Sequence, residues 1–267
     1  MTQILLVGCG RMGTALLSGW LGAGVASRVV VVEPAGLGGE GFDERVLAVA
    51  DRAAVPAEFA PDVVVLAVKP QVLDQAAPAY RDIVERGALV ISIAAGKTLS
   101  RLAACVGEQA AIVRSMPNLP AAIGSGVTVC AANAQVSTAQ QALCSRLLGT
   151  VGALEWVDDE ALLDAVTAVS GNGPAYVFLV IEALAAAGAA AGLPEDLAMR
   201  LARATVSGAG DYVRQSPDSP EAMRRAVTSP AGTTAAALTV LMGQPGLQDL
   251  FDRAVAAAVQ RSRELAG

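Results

Sequence analysis

The sequence predicts an α/β protein with an N-terminal Rossmann-type doubly wound sheet over residues 1–157 and an all-helical domain over 158–267. Three observations predict it. Short aliphatic runs alternate with helix-like segments through about the first 130 residues, the pattern of repeated βα units. A glycine-rich turn, Gly8-Cys9-Gly10-Arg11-Met12-Gly13, follows the first run directly. From about Asp158 the strand-like runs stop and alanine-rich helical patterns take over.

The elements follow in order. ILLVG (4–8), VVVVE (29–33), DVVVLAV (62–68) and ALVISIA (88–94) are β-branched or aliphatic runs, as buried parallel strands require. AIVRSM (111–116) and GVTVCAA (126–132) predict two more. Met12 to Gly22 and Ser100 to Val106 fall between runs and read as helices. In the second half, 159–169, 174–191, 194–214, 220–227, 233–242 and 246–265 read as helices, with Pro174, Pro194 and Pro220 at first-turn positions. QSPDSP (215–220) is the one loose joint.

Composition excludes several functions. Charged residues make up 16% of the 267 and the net charge is −6, without a basic run, so no nucleic-acid partner is expected. The longest apolar stretch, Val177 to Leu193, is interrupted by Glu182, Gly188 and Gly192. It reads as too short and alanine-rich for a bilayer span, so no membrane partner is expected either. The N-terminus lacks the basic region of a signal peptide, and Cys9, Cys105, Cys130 and Cys144 have no C-x-x-C spacing, so reduced thiols in a cytoplasmic protein are expected. No histidine occurs and the lysines are Lys69 and Lys97. Imidazole acid–base chemistry and histidine-ligated metal are therefore excluded, and no metal site is expected.

The glycine turn carries a phosphate-binding logic. Gly8 makes the turn, Gly10 lets backbone approach a pyrophosphate, and Gly13 allows close helix–strand packing, while the helix start through Arg11 and Met12 offers N–H groups to the anion. Alone, G-x-G-x-x-G is a weak signal. Here Glu33 ends the second run, 20 residues after Gly13, where a carboxylate can accept hydrogen bonds from a ribose. Ala67-Val68-Lys69-Pro70 ends the third run at a crevice edge. Lys69 reads equally as a solvated side chain or a cofactor neighbour, with backbone contact favoured. In RSMPNLP (114–120), Asn118 can bond either its own turn or a nicotinamide amide. SGNGPAY (170–176) and TSPAGTT (228–234) are both small, hydroxyl-rich turns leading into helices, so each reads as a helix cap or as an anion site.

These five motifs, in this order and across nearly the whole chain, resemble the Δ1-pyrroline-5-carboxylate reductase family, which reduces a cyclic imine to L-proline with NAD(P)H. The resemblance implies a Rossmann domain and a helical domain that pairs with another subunit, giving a homo-oligomer built from dimers. It implies that Ser229 and the N–H groups of Gly232 and Thr233 hold the substrate carboxylate, that Thr234 bonds the ring nitrogen, and that Tyr176 is a weaker catalytic alternative. It places SGNGPAY near the cofactor, with Asn172 toward substrate. The family usually reads S-G-S-G-P-A-Y and S-P-G-G-T-T, so Asn172 and Ala231 depart from it. Ala231 implies a backbone without a glycine requirement.

A cyclic imine can take its proton from water, so the absence of histidine fits a mechanism of orientation and electrostatics. Other readings stay open: a β-hydroxyacid dehydrogenase, though no lysine follows Lys97, an imine reductase for a larger ring, or a catalytically silent NAD-binding protein. NADH is favoured over NADPH. Pro34 to Glu44 holds no Lys or Arg for a 2′-phosphate and adds Glu40, Asp43 and Glu44. A phosphate about 5 Å from Glu33 meets a repulsion of roughly 2 kcal/mol even at water's dielectric constant. Arg11 is the cation best placed to oppose this, since Arg28 precedes the strand and is expected at its far end.

Overall fold

The computed structural model describes residues 2–37 and 43–266. Glu40 therefore lies outside the described residues. The chain divides into two compact units, Met1–Gly171 with Ala258–Gly267, and Asn172–Ala257. Beyond the expected boundary at 157/158, the first helix after the sheet and the end of the last helix group with the sheet in the first unit. Asp164 shows why: its carboxylate accepts a hydrogen bond from buried Ser262 at 2.7 Å.

The first unit is one eight-stranded sheet, β1 (Thr2–Val7), β2 (Ala26–Val32), β3 (Val46–Val49), β4 (Val63–Leu66), β5 (Leu89–Ser92), β6 (Ile112–Met116), β7 (Gly126–Ala132) and β8 (Gly152–Trp156). Its order is β3-β2-β1-β4-β5-β6-β7-β8. The central strands are aliphatic on both faces because both faces are covered. One core is built on Leu5, Val30, Val64 and Val90, and the other on Ile4, Leu6, Val29 and Val65. All six predicted strands form. One expectation of parallel pairing fails: β7 runs antiparallel to β6, with Arg114 opposite Ala131. A connection of only nine residues, 117–125, joins them, too short for a crossover helix that would return the chain parallel.

Helices α1 (Arg11–Gly22), α2 (Pro70–Ala76), α3 (Arg81–Val84), α4 (Leu99–Val106) and α5 (Thr138–Leu148) connect the strands. Trp20 of α1 is fully buried and donates its indole N–H to the Leu147 carbonyl at 3.1 Å, tying α1 to α5. Trp156 donates to Ser145 Oγ at 3.0 Å. Asp74 of α2 pairs with Lys97 at 2.9 Å and Arg101 at 3.1 Å. These hydrogen bonds, Arg101's first, lower its carboxyl to about 2. After β8 comes α6 (Leu162–Val166), then a π-helical turn, Thr167–Gly171.

The second unit holds α7 (Gly173–Ala190), α8 (Glu195–Gln215), α9 (Pro220–Ala226), α10 (Thr233–Leu241) and most of α11 (Leu247–Ala266). Pro174 and Pro220 sit in first turns as expected, whereas Pro194 is the N-cap of α8. Gly188 lets α7 and α8 pack closely, since a Cβ there would lie 3.3 Å from that of Ala198. Val177, Phe178, Leu179, Val180 and Leu184 stay 42–62% exposed. Glu182 is also exposed.

Candidate active site

The sheet reverses its winding between β1 and β4, the place where ligands bind in open α/β sheets. Val7 pairs with Val32 on one side and Leu66 on the other, so Gly8, Glu33 and Ala67 leave the sheet at one level. Val32 pairs in turn with Val49, which brings Ala50, Asp51 and Arg52 to the same edge. A crevice of about 570 Å³ opens there, lined by Gly8, Gly10, Glu33, Arg52, Lys69 and Tyr80 among others.

Each glycine of the turn has a separate task. Gly8 has φ +89°, and a Cβ on it would lie 2.8 Å from the Ala67 carbonyl oxygen. A Cβ on Gly13 would come within 2.6 Å of the Gly8 carbonyl oxygen. Gly10 differs: nothing of the protein lies within 4 Å of its would-be Cβ, and its φ of −68° suits any residue. Gly10 is the N-cap of α1, without a side-chain cap and with no acidic residue in the first turn, so the N–H groups of that turn suit an anion. A dinucleotide pyrophosphate fits this cradle. The Glu33 carboxylate accepts from the N–H of Cys9 at 2.8 Å and of Ala35 at 3.2 Å, which holds it beside the turn. Burial, its largest influence, raises the Cys9 thiol, which stays neutral next to an incoming anion.

Arg11 and Met12 open α1, and Ala67, Val68 and Lys69 line the crevice, with Lys69 as N-cap and Pro70 as first residue of α2. Asn118 turns inward to the protein. Its carbonyl oxygen accepts from Val127 N–H at 2.9 Å and its amide donates to the Ser170 carbonyl at 3.1 Å, the turn-stabilising alternative. Arg28 lies over the Phe59 ring at 5.5 Å, at the start of β2. Arg52 and Tyr80 were not among the expected site residues. The signal lay in VLAV (46–49), a four-residue strand whose end places Arg52 on the crevice. Burial pushes the Tyr80 phenol up to about 12.

The second unit carries the other motif. The N–H of Gly232 donates to the Ser229 carbonyl at 3.1 Å, closing a turn whose next residue, Thr233, starts α10. Gly232 is the N-cap, and a Cβ there would strike Ser229 Oγ. No side chain caps α10, so its first-turn N–H groups, beginning at Thr233, suit a carboxylate, and half-buried Thr234 follows in that turn. Ala231 has φ +58°, the left-handed region. This corrects the expectation that alanine marks a backbone without a glycine requirement: the turn keeps the conformation and the alanine carries its strain.

SGNGPAY also differs from its expected form. It is not a turn between helices, because Thr167–Gly171 is already π-helical and only Asn172 separates it from α7. Ser170 Oγ donates to the Val166 carbonyl at 3.0 Å, so the serine closes the helix on itself. Tyr176 packs edge-to-face on Phe251 at 6.3 Å.

A pyrroline-5-carboxylate reductase of Pseudomonas aeruginosa is 40% identical over 99% of this chain and 97% of its own. The chain belongs to the pyrroline-5-carboxylate reductase family. Residues 160–265 match pyrroline-5-carboxylate reductase dimerisation, and residues 3–96 match NADP oxidoreductase, coenzyme F420-dependent. Among solved structures, the pyrroline-5-carboxylate reductase of Coxiella burnetii superposes with a TM-score of 0.89 at 33% identity, covering 100% of this chain and 99% of that one. The Plasmodium falciparum pyrroline carboxylate reductase, solved with NADP bound, has a TM-score of 0.82 at 27% identity over 100% and 98%. In this reductase-family chain, the exposed apolar residues of α7 fall within the dimerisation match. It also bears on the membrane reading. Among the described residues, Leu162–Ala190 is one helical run of 29 residues, long and apolar enough to cross a bilayer by length and composition. α6 and the π-turn lengthen the apolar stretch beyond Val177–Leu193, and the whole run falls within the dimerisation match.

Proposed function

We propose that this chain reduces 1-pyrroline-5-carboxylate to L-proline, as its relatives' names describe, with a nicotinamide dinucleotide in the crevice between β1 and β4. The observation that carries this reading is the S-P-A-G-T-T turn with its uncapped helix start, in a chain 40% identical end to end to a pyrroline-5-carboxylate reductase. When bound, the reduced cofactor supplies hydride to the imine carbon.

The protein's own work is binding and orientation. Gly10, Arg11 and Met12 receive the pyrophosphate through backbone, Gly8 and Gly13 shape the turn that presents them to the cofactor, and Ala67 to Pro70 line it. Asn118 keeps one amide hydrogen for it. Ser229 and the Thr233 N–H hold the substrate carboxylate, the Gly232 N–H being engaged with the Ser229 carbonyl, with Asn172 toward the substrate, and Thr234 orients the ring nitrogen. Proton delivery falls to water, Tyr176 being the alternative donor. Orientation of this kind supplies much of a barrier reduction without a strong acid.

NADH is the preferred cofactor. Glu33 is held at the end of β2 where a 2′-phosphate would sit, and Asp51 lines the same crevice. Arg45, the first cation after the glutamate, is committed to Asp43 and to the carbonyls of Leu21 and Ala26. The protein works in the cytoplasm as a homo-oligomer built from dimers, without membrane or nucleic-acid partners. The test is the fall in NADH absorbance when the five-membered imine acid is added to purified protein. Turnover with that imine supports the reading. Turnover only with six-membered imines assigns a related reductase, and none with either leaves a silent binder.

A further inference from the structure

Arg52 stands on the cofactor crevice but is held by Asp82, which lies outside the lining, and by Ala79 and Tyr80 at its edge. Its guanidinium donates to Asp82 Oδ2 at 2.7 Å and to the Ala79 carbonyl at 3.2 Å, and lies 6.0 Å from the centre of the Tyr80 ring. Glu33, on the same crevice, bonds instead to the N–H groups of Cys9 and Ala35, so the two side chains are not paired. Asp51 is occupied too, capping its own turn through Ala54 N–H at 3.0 Å. The cations of the lining are Arg52 and Lys69, and Arg52 is the one that follows the strand next to Glu33.

We infer that Asp82 is a specificity-determining residue that acts at a distance, by tethering the Arg52 guanidinium against Tyr80 and so withholding it from a 2′-phosphate. This rests on the reading that the crevice takes the dinucleotide. A guanidinium is the side chain best shaped to meet a phosphate with two parallel hydrogen bonds. Here both its charge and two of its donor positions are spent on Asp82 and Ala79. The preference for the unphosphorylated cofactor then has two parts: repulsion by Glu33, and a cation that is present but engaged elsewhere. Asp82 is more than half exposed and its other partner, Arg86, lies at 3.6 Å, so its removal disturbs little of the core.

The test is calorimetric titration of the whole protein with NADP+ and with NAD+, without imine, for wild type, Asp82→Asn, Arg52→Gln, and the two substitutions combined. Asp82→Asn should tighten NADP+ binding by about threefold to tenfold, the order of one partly screened charge pair, and shift NAD+ less than twofold. The double variant should lose that gain. NADP+ binding unchanged in Asp82→Asn overturns the inference. So does a gain that survives in the double variant, since lost repulsion from Asp82 itself then explains it. Wild type that already binds NADP+ tighter refutes the NADH reading by itself; the tether then falls only if Arg52→Gln alone weakens NADP+ binding. Failure to bind either dinucleotide refutes the crevice assignment.

Discussion

Gly10 and Gly13 separate what the fold needs from what the cofactor needs. A Cβ at Gly13 would sit 2.6 Å from a backbone oxygen. That is about 0.8 Å short of ordinary contact, and α1 must move off β1 to relieve it, an overpacking cost of about 1–3 kcal/mol. At roughly 2–4 °C per kcal/mol for a chain of this size, Gly13→Ala should unfold about 2–12 °C lower. A Cβ at Gly10 meets nothing within 4 Å, and φ −68° is ordinary for alanine. Alanine is a poorer N-cap than glycine but loses less entropy on folding, and these effects offset each other to within about 0.5 kcal/mol. Gly10→Ala should therefore melt with wild type while its Kd for NADH rises tenfold or more, at least about 1.4 kcal/mol, because the methyl occupies the pyrophosphate's place. Scanning calorimetry and NADH titration on both variants check this. Unchanged NADH affinity in Gly10→Ala would refute the argument that the space beside Gly10 is kept for the ligand.

Other expectations follow from the same geometry. Thr234→Ala should lower kcat/KM for the imine by roughly ten- to a thousandfold, the loss of one or two hydrogen bonds in a dry site, and wild-type kinetics would remove Thr234 from the mechanism. The kcat/KM with NADH should exceed that with NADPH at least about tenfold at saturating imine; equal efficiencies would show that Glu33 does not face the phosphate. Sedimentation should find no folded, active monomer at nanomolar concentration, since an obligate interface buries on the order of 2,000 Å². Ala231→Val puts a β-branched side chain at φ +58° and should cost about 1–2 kcal/mol in urea unfolding; an equally stable variant would show that the turn relaxes.

Much of the first unit could be read from residue type alone, because strands buried on both faces must be aliphatic throughout. That signal failed where burial is partial. β8 alternates between half-buried and exposed positions, and β3 has only four residues, none of them fully buried. Missing β3 meant missing Arg52, whose place depends on where that strand ends. The antiparallel turn of β7 was hidden for another reason: its buried run resembles a parallel strand, and only the short connection 117–125 distinguishes the two. In the second unit the helices were plain, but the π-turn before α7 was not. Glycine and asparagine are turn residues in most settings, and nothing local in SGNGPAY distinguishes a widened helix from a break. The S-P-A-G-T-T turn was legible as a helix start, while the left-handed φ of Ala231 was not, since alanine gives no sign of it.

Both indoles of the chain, Trp20 and Trp156, belong to the first unit, and Asn172–Ala257 contains none. Trp20 is wholly enclosed between α1 and α5, so its emission changes when that packing opens to water. The helices of the second unit are silent in tryptophan fluorescence yet supply much of the far-ultraviolet circular dichroism. One sample followed by both signals thus reports the two units separately without any label. Curves that coincide mean that they unfold as one cooperative body, and curves that part mean that each carries its own stability.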